Sequence, residues 1–206
     1  MQESSKILLS KKELEVLGEV EFFQLKKSIT TKIYSQLAAL VQQLRAEASF
    51  SKIPFPAGTD VTTGKISKGE NYLGLPFILL DFPRRFTEEN IFAYRTMVWW
   101  GNFISASLLL SGPVSVVARK NVLRQLRSLK GKDIFVCIHE SPWHHHFHME
   151  NYIPLDILNK KEVEEALNEQ SFLKLARKIP IRQIKKLQEF SLESFRIFSR
   201  LLTDSE

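Results

Sequence analysis

The 206-residue chain is 44% hydrophobic and 25% charged, the balance of an ordinary globular protein, and at this length it can bury roughly 70% of its unfolded surface without a disulfide or structural metal. A single cysteine, Cys137, excludes an intramolecular disulfide and with it the small disulfide-stapled scaffolds, which points to a reducing, cytoplasmic setting. The net charge of +6 is unevenly placed: residues 114–132 and 172–188 each carry six cations and no acid, so the remainder of the chain is net acidic.

Only three apolar residues, Ile7 to Leu9, precede Lys11 and Lys12, so no secretory leader is expected. Ser10 and Glu13 have capping-box spacing at a helix start. From residue 21 to 48, Phe22, Leu25, Ile29, Ile33, Leu37, Leu40, Val41 and Leu44 recur at helical spacing and predict one long amphipathic helix with one buried stripe, interrupted near the β-branched pair Thr30 and Thr31. Residues 51–74, with two prolines and four glycines, read as an unusually long loop.

The middle of the chain reads as sheet. Residues 75–82 form an apolar run closed by Pro83. Strands over 92–100 and 103–110 flank Gly101-Asn102, a dipeptide suited to a two-residue hairpin turn. That register sets Trp100 opposite Phe103 and gathers Met97, Trp99, Ile104, Ala106, Leu108 and Leu110 on one core face. Residues 96–118 carry no charge and are long enough to cross a bilayer, but Asn102, the spaced serines, Gly112 and Pro113 favour a half-exposed strand, so no membrane span is expected. Pro113 suits a helix start, and a helix to residue 129 would turn Val117, Val122, Leu126 and Leu129 inward and its cations outward.

Residues 133–139 and 144–150 read as strands, and residues 160–168, 171–178 and the stretch from Ile181 to Leu202 as helices. The sum is an α+β fold in one domain over 1–206: an antiparallel sheet of about five strands, packed by amphipathic helices from both terminal thirds.

The feature above background is a histidine cluster. All five histidines, His139, His144, His145, His146 and His148, lie within ten residues. Imidazole is the commonest transition-metal ligand and is mostly neutral near pH 7. If residues 140–143 form a hairpin loop, alternation places Cys137, His139, His144, His146, His148 and Glu150 on one face, with His145, Phe147 and Met149 on the other. His144, His146 and His148 are then the leading ligands for zinc or another transition metal, His139 and Cys137 further candidates, and Glu150 a ligand or catalytic base. The spacing of His139, Glu140 and His144 is one residue too long for a zincin helix, and Pro142 opposes that helix. No histidine follows His148 to complete a facial iron triad with Glu150.

Other chemistry is weaker. Gly58, Gly64 and Lys65 miss the phosphate-loop spacing, although Lys65, Lys68, Arg84 and Arg85 near Tyr72, Phe82 and Phe86 form a candidate anion site. No nucleophile elbow is present. The two basic segments, read as helices, meet only the electrostatic criterion for nucleic acid. The sequence thus favours a transition-metal-binding domain, hydrolytic in its furthest extension. The rival class is a non-enzymatic binding or scaffold domain with a basic surface and incidental histidines. Nucleic acid and a second copy of the chain remain as partner classes. Clustered imidazoles would also lower stability below about pH 6 as they charge.

Overall fold

The computed structural model describes residues 8–203; residues 1–7, on which the leader expectation largely rests, lie outside them. Ser10 and Glu13 cap α1 (Lys11–Leu17) reciprocally, at 2.7 and 3.3 Å. α2 (Val20–Ala46) runs unbroken through Thr30 and Thr31, because the Thr31 hydroxyl donates to the Lys27 carbonyl one turn back and is satisfied inside the helix. Only the C-terminal half of its stripe is covered. Ile33, Leu37, Leu40, Val41 and Leu44 are buried, whereas Phe22, Leu25 and Ile29 are exposed. Periodicity defines a stripe but not how far the neighbouring sheet extends beneath it.

Seven strands form one antiparallel sheet: β1 (Lys65–Tyr72), β2 (Leu75–Phe86), β3 (Ile91–Trp99), β4 (Phe103–Ser111), β5 (Phe135–Cys137), β6 (Tyr152–Pro154) and β7 (Phe172–Pro180), in the order β1-β2-β3-β4-β7-β5-β6. With α3 (Pro113–Leu129), α4 (Lys160–Glu169) and α5 (Leu187–Ser199) the class is α+β, with seven strands where about five were expected.

The differences have local causes. β1 arises inside the anticipated 51–74 loop because an edge strand pairs on one side only and tolerates the polar run around Lys65, Lys68 and Glu70. β2 continues past Pro83, which falls where the ladder to β3 shifts register between Asp81 and Arg84, so its missing amide breaks no regular bond. The β3–β4 turn holds three residues rather than two, and Trp99 stands opposite Phe103. That one-residue slip sends Trp99 and Met97 to the face opposite Ile104, Ala106, Leu108 and Leu110. Residues 171–178 are not helix but strand β7, seated between β4 and β5. Buried on both faces, β7 shows no clean polar alternation, and Lys174 and Arg177 of the second basic segment turn into the interior. The nucleic-acid reading thereby loses one of its two basic helices.

One face of the sheet carries the main core, with α2, α3, α4 and α5 packed on Leu80, Tyr94, Val98, Leu108 and Leu175. The chargeless run 96–118 is divided among β3, β4 and α3, and among the described residues no helix is long and apolar enough to cross a membrane. Ser105 and Ser107, expected half-exposed, are buried on the second sheet face. That face also carries Arg95, Lys174, Cys137 and Tyr152, and residues 138–151 fold over part of it.

Candidate metal centre

The histidines stand on this covering loop. Residues 144–150 form no strand; β5 pairs instead with β6, Cys137 opposite Tyr152, so the expected hairpin of residues 133–139 with 144–150 does not form. The loop is pinned at its base by Ile138 N to Asn151 O at 2.9 Å and by Asn151 Nδ2 to His146 O at 2.6 Å. Phe147 turns down and packs against Phe103, Phe135 and Tyr152.

His145 also turns toward the sheet. Its Nε2 is 3.1 Å from Arg95, which in turn grips Asp81 through two bonds of 2.6 and 2.8 Å. Lys174 Nζ donates to the carbonyls of Pro142 at 2.7 Å and His144 at 2.6 Å, with His145 Nδ1 at 3.5 Å. Loss of water around the imidazole, then the Lys174 and Arg95 cations, hold His145 well below the usual imidazole range. Burial, against the opposing pull of neighbouring Cys137 and with a smaller contribution from the Arg95 cation, brings Lys174 down to about 7. Burial raises the Cys137 thiol, which Lys174 and the His139 carbonyl partly offset.

With His145 and Phe147 turned inward, His144, His146 and His148 form a row that His139 extends. Ring centroids of His139 and His144 are 4.0 Å apart, of His144 and His146 5.4 Å, and of His146 and His148 4.9 Å. At the end of the row one donor atom each from His146, His148 and Glu150 lie within 4.8 Å of one another. His146 Nε2 is 3.8 Å and His148 Nδ1 3.4 Å from Glu150 Oε1. Donors around a tetrahedral zinc with bonds of about 2.0–2.1 Å stand about 3.4 Å apart, so only small rotations of exposed His148 and Glu150 separate these atoms from ligation. Removal from water, then His148 and His144, lower His146 and favour the neutral, ligating ring. The Glu150 carboxyl is lowered first by its own backbone amide and further by His148.

The remaining sequence candidates fall outside this group. His139 Nδ1 accepts from Ser141 N at 2.9 Å, which places the ring proton on Nε2 and leaves no free lone pair while that bond stands. His144 adjoins His146, its Nδ1 buried without a hydrogen-bond partner among the described residues. Cys137 is buried away from the row, its thiol 3.5 Å from Asn151 Oδ1. The candidate anion group is dispersed along one ladder. Lys65 and Lys68 stand opposite Asp81 and Ile78, Arg84 pairs with Asp60 at 3.1 Å, and Arg85 lines a separate cavity.

Sequence reasoning missed Arg95 and Asp81 and set Tyr72 by the anion candidates and Lys174 on a solvated basic helix, although a lone charge inside an apolar strand, as in Leu80-Asp81-Phe82 or Leu173-Lys174-Leu175, is a signal of burial with a partner. Tyr72 Oη accepts from the amides of His145 at 2.6 Å and His146 at 3.2 Å and lies 3.0 Å from His146 Nδ1. The end of β1 therefore orients the most buried ring of the cluster. No protein-family model, curated protein or solved structure matches this chain.

Proposed function

We propose that this protein binds a divalent transition-metal ion, zinc in the first instance, through His146 Nε2, His148 Nδ1 and Glu150. The reading is carried by one observation, the approach of those three donor atoms to within 4.8 Å. Ligation through Nε2 requires the His146 proton on Nδ1, 3.0 Å from Tyr72 Oη, and the phenol oxygen can accept that proton's hydrogen bond by giving up the longer of its two amide bonds, from His146 N at 3.2 Å, the kind of outer-sphere partner that steadies metal-bound histidines. Three protein donors leave a fourth position open, and a zinc-bound water there would ionise near pH 7. Hydrolysis, for which an ion held by His146, His148 and Glu150 would supply an activated water, is therefore the reaction class to assay first.

The test is metal content and zinc calorimetry on untagged protein, beside His148→Ala and Glu150→Gln. Both side chains are exposed, so their replacement should leave the fold intact. Near-stoichiometric zinc that is weakened tenfold or more in each variant supports the site; wild-type protein that takes up no zinc at micromolar concentration removes it.

A second reading, a non-catalytic binding domain, is favoured by the exposed apolar side chains of α1 and early α2, among them Leu17, Phe22, Phe23 and Leu25. Its occupant would be a second copy of the chain, which presents the same apolar stripe. Sedimentation at micromolar concentration tests it: a dimer dispersed by Phe22→Ser with Leu25→Ser supports that role, and a monomer removes it.

A further inference from the structure

A cavity of about 400 Å³ opens on the helix-covered side of the sheet, within the size range of small-molecule sites. Its walls are apolar: Pro54 and Pro56 from the chain ahead of β1, Val117 from α3, and Leu202 after α5. Two polar side chains enter it, Arg85 near the end of β2 and Asn90 from the β2–β3 turn. Alternation separates Arg85 from Phe86, which meets Trp143 of the histidine loop on the opposite face.

Neither polar side chain has a protein partner among the described residues. Among the described residues the Arg85 guanidinium makes no hydrogen bond or ion pair, in contrast to adjacent Arg84, which pairs with Asp60. The Asn90 side-chain amide has no partner either; only its backbone is engaged, with Thr87. Pro113 and Val114, the first residues of α3, complete the lining. The helix has no side-chain cap, and the Val114 amide has no backbone acceptor. Each of the three features favours negative charge: an unpaired cation, a free amide donor, and the positive end of a 17-residue helix.

We propose that this cavity binds a small organic carboxylate with an apolar body, its carboxylate held by Arg85 and Asn90 near the α3 amides and its apolar portion against Pro54, Pro56, Val117 and Leu202. One guanidinium presents the fork that a monocarboxylate matches with two parallel bonds, and the apolar walls disfavour a small, strongly hydrated inorganic anion. The site does not depend on the metal reading, since none of its residues lies on the histidine loop.

The test is calorimetric titration of the metal-free full-length protein with octanoate and, separately, with octanol. Wild-type protein takes up octanoate saturably and more tightly than octanol. Arg85→Met weakens octanoate about tenfold or more and leaves octanol unchanged. Val117→Trp, at a side chain 37% exposed and so free of core strain, fills the cavity and abolishes uptake of both. No octanoate uptake at millimolar concentration overturns the proposal. Equal affinity for octanoate and octanol, full octanoate affinity in Arg85→Met, or full uptake in Val117→Trp overturns it as well. Unchanged melting of both variants shows that any loss is not unfolding.

Discussion

Lys174 offers the sharpest test of how the loop sits on the sheet. Its side chain is 2% exposed, between two loop carbonyls and a neutral imidazole, and its ammonium titrates at about 7 instead of the usual 10.5. The unfolded chain therefore binds more protons than the folded one from about pH 7 to about 10.5, and folding stability rises with pH across that window. One group gives a slope of about 1.4 kcal/mol per pH unit, hence about 5 kcal/mol over the whole interval. Below pH 7 both states hold the proton and this contribution is flat. Lys174→Met keeps the length and apolar stem of the side chain and removes the ionisation. Guanidinium unfolding of both proteins at pH 7, 8 and 9, each carrying Cys137→Ala because the Lys174 charge also acts on that thiol, isolates the effect as a difference, since the raised Tyr152 group is common to both. The wild-type protein should gain about 1.4 kcal/mol per pH unit relative to the variant. A difference that does not change with pH would show that Lys174 stays charged, and that the loop does not exclude water as described.

Tyr72→Phe removes the acceptor for the His145 and His146 amides at a cost of about 1–3 kcal/mol, and the two amides should exchange deuterium faster. Zinc affinity should fall about 10- to 100-fold with it, and unchanged affinity would exclude the phenol as an outer-sphere partner. In metal-free protein, His145 and His146 take up protons at lower pH than the ordinary 6.5, so stability held above that value is lost as pH falls below about 6.5. Denaturant midpoints that stay level between pH 7 and 5 would refute this. Gly64→Ala places a methyl 2.6 Å from Leu80 Cδ1 and Val41 Cγ2, and the resulting overpacking should cost about 1–3 kcal/mol. An unchanged melting temperature would mean that α2 yields at that contact.

Local chemistry was legible in the sequence. The Ser10–Glu13 cap, the α2 periodicity, most of β2, β3 and β4, and the proline-led start of α3 follow from interactions between residues a few positions apart. Within residues 144–148 the alternation was legible too: His144, His146 and His148 line up on one side and His145 and Phe147 turn to the other, although no strand forms there, while Cys137, expected on the histidine face, is buried away from it and Met149, expected beside Phe147, is exposed. Longer-range choices lay beyond that reach. One extra turn residue between Trp99 and Phe103 reversed the relation of β3 to β4. The i, i+2 spacing of Leu173 and Leu175 is that of a strand, and pairing with β4 on one side and β5 on the other fixes it as one. Of the proposed ligands, His146, His148 and Glu150 converge because Tyr72, Arg95 and Lys174, brought in from three different strands, hold the loop against the sheet. Sequence spacing determines which side chains share a face, whereas register and layering depend on contacts between distant segments, and those only the assembled sheet supplies.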